Sequence, residues 1–183
     1  MTQDRDSIRF NALRNALYHT ARRRSLERFS RVFNFLIVVL GATAVSSVAV
    51  QFHLPSYLIG LAIAVIGALQ LVFDFGRQAR DHQVLQRDYY ALLADVEANV
   101  DPTPADLATF SSRMIRITAD EPPTYRAIDS KAYNDAIDGL GTHAAGERLH
   151  IPLLHRIFGG MFAFDGYGYR KRVEIETGQI ARG

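Results

Sequence analysis

Polar residues are spaced at helical intervals inside a long stretch of this chain that carries no charge. From Val32 to Phe73 there are 42 consecutive residues without Asp, Glu, Lys or Arg. Side chains that share one helical face in such a stretch could line a water-filled path through a membrane. The candidate pore-lining residues are Thr43, Ser47 and Gln51, which are four residues apart along the outer half of a first apolar segment, and Gln70 and Asp74, which share one face with Gly67 toward the inner end of a second. A ring of Asp74 side chains would favour cations at the cytoplasmic mouth.

Ordinary helix packing is the alternative explanation for the same residues. Hydroxyl groups can bond to the backbone of their own helix, and Asn34 and Gln51 can lie at helix contacts. Asp74 can pair with Arg77 one turn further on. Both interpretations stay open on the sequence alone.

A series of small residues with four-residue spacing follows in the second half of the stretch. Its members are Gly60, Ala64 and Ala68. Small side chains let helix backbones approach closely in membranes, so this face predicts a contact between two spans or between two subunits. A pore would require several copies of the chain, because two helices cannot enclose a channel.

The sequence shows no arrangement of residues for catalysis. It contains no glycine-rich phosphate loop and no nucleophile elbow, and it has no cysteine. His143, Glu147 and His150 have the spacing of a metal site, but their glycine-rich surroundings disfavour a rigid helix there. We therefore predict a protein that is not an enzyme and that has no catalytic residues, no metal and no cofactor.

The charge-free stretch is too long for one membrane span. At about 1.5 Å per residue one helix would run to roughly 60 Å, about twice the thickness of a hydrocarbon core. The polar, proline-containing segment from Gln51 to Ser56 predicts a turn, with spans at about 33–50 and 57–75. A buried helical hairpin in a soluble protein is one alternative. A signal peptide over Phe35 to Ala44 is another, which the mixed charge before it disfavours.

Arginines indicate the orientation of this hairpin. Nine of them flank the two spans and none lies between residues 51 and 56, so the positive-inside rule places both termini in the cytoplasm. Arg22, Arg23 and Arg24 are expected to bind anionic lipid headgroups, since guanidinium groups can fork onto phosphate. Nucleic acid is not an expected partner, because no aromatic residues interleave with these arginines.

Helical periodicity outside the spans predicts an all-α membrane protein, a two-transmembrane helical hairpin with N-terminal and C-terminal cytoplasmic helices. Its predicted parts are a basic N-terminal helix (1–31), the hairpin (32–76), a cytoplasmic helical region (77–140), and a flexible link with a C-terminal docking segment (141–183). The apolar stripes are Leu13, Leu17 and Ala21; Leu85, Tyr89, Leu92 and Val96; Leu107, Phe110, Met114 and Ile117; and Tyr125, Ile128, Ala132, Ala136 and Leu140.

Local signals delimit the cytoplasmic helices. Thr103 can cap a helix that has Asp106 in its first turn, and Gly141 can end the following one. The segment from Ile151 to Phe164 is too short and too broken for a third span, so it is expected to dock onto the helices or to lie at the membrane surface. The stripes are narrow, and we expect helices from other copies to complete the core.

Three short motifs lie around the spans in a fixed order. They are Tyr18-His19 followed by Ala21-Arg22-Arg23-Arg24; Ala79-Arg80-Asp81-His82 with Leu85 and Tyr89; and Glu121-Pro122-Pro123 followed by Tyr133-Asn134. Over roughly residues 12–164 the chain resembles the SLATT family, the SMODS and SLOG-associating two-transmembrane effectors of bacterial conflict systems. The resemblance implies an oligomeric effector in the bacterial inner membrane. It also implies pore formation or membrane disruption when a cytoplasmic sensor or nucleotide-signal-producing enzyme acts in trans.

Two other functions are compatible with the same sequence. One is a membrane anchor or scaffold that recruits a cytoplasmic partner through residues 77–183, and the other is an accessory subunit of a transporter. In both of these functions, as in the effector hypothesis, the lipid bilayer is a partner of the protein.

Overall fold

The structure, a computed structural model of the chain, describes residues 4–44, 55–141 and 144–180. Helices make up most of these residues, and no strand occurs among them. The helices are α1 (Arg5–Ala44), α2 (Ser56–Phe73), α3 (Phe75–Ala98), α4 (Pro104–Ala119), α5 (Arg126–Leu140), a 3₁₀ helix (Ala145–Glu147), α6 (Leu153–Phe158) and α7 (Arg172–Ile180). The predicted all-α class is confirmed.

The chain divides into two compact units. One, which we call the helical body, comprises Met1–Arg22 and His82–Gly183; the other, which we call the apolar unit, comprises Arg23–Asp81. The divisions fall inside α1 and inside α3, whereas the sequence-based segments were separated at residues 31 and 76. The first turns of α1 therefore belong with the C-terminal helices.

The core of the helical body follows the stripes predicted for α3 and α4. The four α3 residues are buried, and Met114 and Ile117 of α4 join them, with Leu107 and Phe110 packed against the same cluster. On α5, Ile128, Ala132 and Ala136 are buried as predicted. The 3.6-residue period thus identified the inward face of all three helices.

On α1 the structure covers a second face beside the predicted stripe. Ile8, Ala12 and Ala16 are fully buried, whereas the predicted Leu13, Leu17 and Ala21 are partly buried, with Leu17 and Ala21 packed against a second cluster that contains Tyr18, Ile128 and Ala132. The three fully buried residues lie in the same cluster as the α3 and α4 stripes. The first turns of α1 therefore cover part of the apolar stripes that helices from other copies of the chain were expected to cover.

Side-chain caps define two of the helix ends in the helical body. The Thr103 hydroxyl accepts a hydrogen bond from the Asp106 backbone N–H at 3.2 Å, and the Asp106 carboxylate accepts one from the Thr103 backbone N–H at 2.9 Å. This reciprocal pair forms a capping box, and Thr103 is the cap that the sequence predicts. Gly141 ends α5 with a φ of 64°, in the left-handed region that glycine adopts without steric cost.

The apolar unit contains the charge-free helices. By length and composition, the helix that begins at Ser56 is the one stretch among the described residues that could cross a membrane, and 6% of its most apolar window is buried. Phe75, just beyond α2, stacks on Phe33 of α1 with ring centroids 5.5 Å apart. The predicted first span continues past Ala44 into residues outside the described ranges. The two-span arrangement and its orientation stay predictions.

Two isoleucines on α4 provide a matched test of the body's core. Ile117 is 9% exposed in the core cluster and Ile115 is 68% exposed on the same helix. We expect Ile117→Ala to lower the free energy of unfolding by about 2–4 kcal/mol through lost burial and a residual cavity. Ile115→Ala should change it by less than about 0.5 kcal/mol. Thermal unfolding of the full chain in detergent, followed by circular dichroism, measures both; equal effects would contradict this core.

Candidate functional site

Of the five candidate pore-lining residues, the structure describes the side chains of two. The Gln70 amide of α2 donates a hydrogen bond to the Asn34 side-chain oxygen of α1 at 3.0 Å. Thr43 belongs to α1, but its side chain lies outside the described residues, as do Ser47 and Gln51 entirely. Gln70 therefore makes a polar contact between two apolar helices, the kind of contact that the packing interpretation predicts.

Asp74 lies at the break between α2 and α3. Its backbone is left-handed, with φ 38° and ψ 56°, and its N–H donates to the Gln70 carbonyl as the last bond of α2. Its carboxylate accepts a hydrogen bond from the Arg77 backbone N–H at 3.1 Å, so it caps the start of α3. The predicted contact between Asp74 and Arg77 therefore exists as a hydrogen bond to the backbone N–H of Arg77. The side chain remains exposed.

The small-residue face points away from the protein. Gly60, Ala64 and Ala68 are exposed, and a Cβ atom added to Gly60 would have no neighbour within 4 Å. The buried residue of α2 is instead Ile59. The described residues therefore show no contact between the two spans through this face, and a contact between spans or between subunits through it stays a prediction.

The arginine triplet does not act as one lipid-binding group. Arg22 is buried: its guanidinium carbon lies 3.6 Å from the centre of the Tyr125 ring, and its Nη1 donates to the Gly160 carbonyl at 2.6 Å. This corrects its predicted headgroup role, because the cation is already paired inside the helical body. Arg23 lies 3.5 Å from Glu27, and Arg24 is exposed. Of the three, Arg24 best retains the predicted access to lipid.

A buried polar cluster joins three helices of the helical body. His19 of α1 and His82 of α3 share a hydrogen bond between their Nδ1 atoms at 2.8 Å. The other ring nitrogen of His19 lies 3.2 Å from the Glu121 carboxylate, which follows α4. The Tyr89 hydroxyl donates to the same carboxylate oxygen and lies 2.8 Å from the Thr118 hydroxyl. The histidines and Tyr89 are buried, and each of their polar groups in this cluster thus has a partner.

The direction of these bonds follows from the acceptor at one end. A carboxylate only accepts, so Nε2 of His19 donates to Glu121. The bond between the two Nδ1 atoms then needs one proton, which one of the two rings carries. Burial, reinforced by His19 and Arg22, lowers the pKa of His82 to about 3. Burial, followed by the Glu121 carboxylate, raises the pKa of Tyr89 well above its usual range. Both groups are therefore held neutral at physiological pH.

A cavity of about 540 Å³ opens beside this cluster. Its walls include Tyr18, Thr118 and Glu121, so the cluster carboxylate faces both the buried histidine and the cavity. Arg14 and Asp129 also line the cavity, and Arg14 Nε donates to Asp129 at 2.9 Å, which neutralises the arginine of the lining. The volume is in the range of small-molecule sites. The two acidic groups against one paired arginine disfavour a phosphate-bearing ligand.

The metal-like spacing near the C-terminus is only partly described. His143 lies outside the described residues, and Glu147 binds the Lys171 ammonium group. Among the described residues no group of three His, Cys, Asp or Glu side chains could hold a metal ion.

The polar cluster was not recognised as a site from the sequence. Its signal was a polar residue at a core position of a helical stripe: His19 follows Ala16 by three residues, and His82 precedes Leu85 by three. Several motif residues that carry the family resemblance meet here, including Tyr18, Arg22 and Tyr89. Asn134, from another motif, bonds both backbone polar groups of Leu149 at 2.9 and 2.7 Å.

The depressed pKa of His82 predicts acid sensitivity. Above about pH 6.5 the ring is neutral in both states; as the pH falls toward 3, the unfolded chain binds a proton that the folded chain does not. Stability should therefore decrease with a slope of up to about 1.4 kcal/mol per pH unit. Thermal unfolding at about pH 7.5 and about pH 5 measures this effect.

The control for this experiment is an exposed histidine. His82→Gln should be less stable at the higher pH, because a core group is altered, and its stability should change less between the two pH values. His150 is exposed, so His150→Gln should keep the pH dependence of the original chain. A flattened response in the His150 variant would contradict the assignment to His82.

Comparison with known proteins adds no family to these observations. No protein-family model matches the chain, and neither the curated proteins nor the solved structures that were compared include a match.

Proposed function

We propose that this protein is a membrane effector of the kind that the SLATT resemblance implies. In this proposal the apolar unit inserts into a bacterial inner membrane as a two-span hairpin with both termini in the cytoplasm. Several copies assemble, and the assembly forms a pore or otherwise breaches the bilayer when a cytoplasmic partner or nucleotide signal acts on the helical body.

The exposed apolar surface of α2 is the observation that carries the proposal. The helix has no charged residue from Ser56 to Phe73, and Ile59 is its buried residue. A core helix of a soluble protein would be mostly covered, whereas a lipid-facing helix needs no protein cover. The exposed large side chains of α2 are Tyr57, Leu58, Leu61, Val65, Leu69, Leu71, Val72 and Phe73. Such a surface is stable in hydrocarbon and unfavourable in water.

The apolar part of α1 has the same character. Phe35 and Val38 are each about two-thirds exposed, and Val32 is about half exposed. With Gln70 bonded to Asn34, both helices present apolar side chains outward and one polar pair between them. This arrangement supports a hairpin with lipid on its outside.

The helical body supports the proposed control from the cytoplasm. Its cavity shares Glu121 and Tyr18 with the buried polar cluster, so an occupant of the cavity would contact groups on which the packing of α1, α3 and α4 depends. A partner, or a ligand without phosphate groups, that binds one arrangement of these groups better than another shifts the population toward it. A nucleotide signal would act on the helical body through such a partner, because the acidic lining of the cavity disfavours phosphate. No catalytic role is assigned to the cluster, because His19 is fully buried.

Membrane potential in living bacteria tests the effector function. The chain is expressed together with a cytoplasmic sensor of the kind that the resemblance implies, and a potential-sensitive dye is followed after the sensor is triggered. Depolarisation with growth arrest is the expected result. A chain that is abundant in the membrane and leaves the potential intact under these conditions would favour the scaffold function.

The charge of Asp74 provides a sharper test of a pore. Asp74→Asn keeps a side-chain oxygen for the cap on α3 and removes the charge, so folding should change little. If a ring of these carboxylates lies at the pore mouth, the preference for cations over anions should fall several-fold. Asp81→Asn, an exposed residue of the same helix, removes the same charge and should leave selectivity unchanged. Ion permeability of reconstituted vesicles gives the measurement, and equal selectivity in both variants would argue against the ring.

The exposed small-residue face predicts where copies meet. The chain has no cysteine, so Ala64→Cys introduces a unique thiol on this face. Mild oxidation of membranes should convert this variant into disulfide-linked dimers. Ile59→Cys places the thiol on the buried face of the same helix and should remain monomeric. Dimers from Ile59→Cys alone, or from neither variant, would show that the copies do not meet through Gly60, Ala64 and Ala68.

A further inference from the structure

A second exposed apolar surface lies in the helical body, far along the chain from the charge-free stretch. Its members recur as pairs four residues apart, which places them on one side of α6 and the turn after it. We call it the α6 patch, and it consists of Leu153, Leu154, Ile157, Phe158, Met161 and Phe162. Each of these side chains is between 42% and 68% exposed. A contiguous apolar surface of this size on a folded domain indicates an interaction site.

The α6 patch rests on a well-packed base. Gly159 is buried against α5, where a Cβ atom in its place would lie 2.8 Å from the Ala127 methyl group. The Gly160 carbonyl accepts the bond from Arg22, and the Ala163 carbonyl accepts one from the Arg126 backbone N–H at 3.1 Å. These contacts hold one side of the segment against the helical body. The apolar side chains on the other side are therefore presented by a fixed support.

The ring of His155 reinforces this support. It stacks on Phe164 with centroids 3.9 Å apart, and its Nδ1 shares a hydrogen bond with the Tyr169 hydroxyl at 2.7 Å. The chain after α6 is thereby folded back beside the helix. Tyr167 also contacts the histidine ring and remains exposed.

The charges around the patch favour an anionic surface. Residues 149–173 contain four basic side chains, Arg156, Arg170, Lys171 and Arg172, against one acidic side chain, Asp165. Lys171 is paired with Glu147, so the positive excess available to a partner comes from the arginines. The three arginines are exposed. Exposed leucine and phenylalanine beside arginine and tyrosine is the composition of segments that lie in a lipid headgroup region. A second copy of the patch would carry the same excess of positive charge, so like charges disfavour pairing of two patches.

We propose that the α6 patch binds the surface of an anionic bilayer, with its apolar side chains inserted among the headgroups and its arginines on lipid phosphates. The protein would then contact the membrane at two separate places, through its spans and through this patch. The proposal rests on the membrane residence of the proposed function, and on no assumption about a pore. Basic residues are attracted to an anionic surface, so the contact should depend on lipid charge.

Fluorescent labels in the full chain test this contact. Ile157→Cys places a unique thiol in the patch, and Ile115→Cys provides a control of similar exposure on α4. Each variant is labelled with an environment-sensitive fluorophore and reconstituted into vesicles of phosphatidylcholine with phosphatidylglycerol that contain spin-labelled lipid. We expect the label at residue 157 to lose most of its emission and the label at residue 115 to lose little.

A third label separates this inference from the proposed function. Val65→Cys lies on the exposed side of α2 and reports insertion of the hairpin. Quenching at residues 65 and 157 supports both proposals. Quenching at residue 65 without residue 157 overturns the patch proposal and leaves the hairpin intact. Quenching at residue 157 without residue 65 supports the patch and overturns hairpin insertion, and quenching at neither overturns both.

The lipid dependence identifies the occupant. Vesicles of phosphatidylcholine alone, or Arg156→Gln combined with Ile157→Cys, should reduce the quenching at residue 157 and leave that at residue 65 unchanged. If the patch is covered by a second copy or by another protein, the label at residue 157 will be shielded from spin-labelled lipid in every vesicle, which would overturn the proposal.

Discussion

The first eighteen residues of α1 cover the apolar stripes of three other helices. Ile8, Ala12 and Ala16 lie in one cluster with the stripes of α3 and α4, while Tyr18 lies in a second cluster with Ile128 and Ala132 of α5. Each of those stripes is too narrow to form a core by itself, and burial of apolar area is the main favourable term in folding. The helical body therefore depends on this segment of α1. The same helix continues to Ala44, within the charge-free stretch.

The polar cluster selects one register in which these helices pack. A buried imidazole or carboxylate without a partner is costly, so His19, His82 and Glu121 are tolerated only when their helices meet in one register. A slide of α1 by one residue would move Ile8, Ala12 and Ala16 away from the core and would also break the bonds of His19. The apolar contacts thus provide most of the stabilisation, and the polar contacts select one arrangement among several that would bury similar area.

The protein exposes apolar side chains in two different ways. Around α2 nearly the whole helix is apolar and exposed, which is typical of a segment solvated by hydrocarbon. At the α6 patch one side is apolar and the other is docked on α5 through Gly159, with arginines nearby. The first pattern suits the interior of a bilayer and the second suits its surface. The contrast with the closed core of the helical body shows that neither surface reflects a general lack of packing.

The sequence by itself determined whatever depends on neighbours within about one helical turn. The stripes of α3, α4 and α5, the capping box at Thr103 and the end of α5 at Gly141 could all be predicted, because a helix repeats every 3.6 residues and a cap involves residues three apart. The absence of charge from Val32 to Phe73 was visible in the same way.

Only the tertiary structure decided which partners meet across long separations along the chain. His19 bonds to His82 and Arg22 to Gly160, and the face with Gly60 points outward while Ile59 points inward. Local periodicity states which residues share a face and leaves open what covers that face. Arg22 was therefore assigned to lipid from its type, and the aromatic ring and carbonyl that bind it belong to residues more than 100 positions further along the chain.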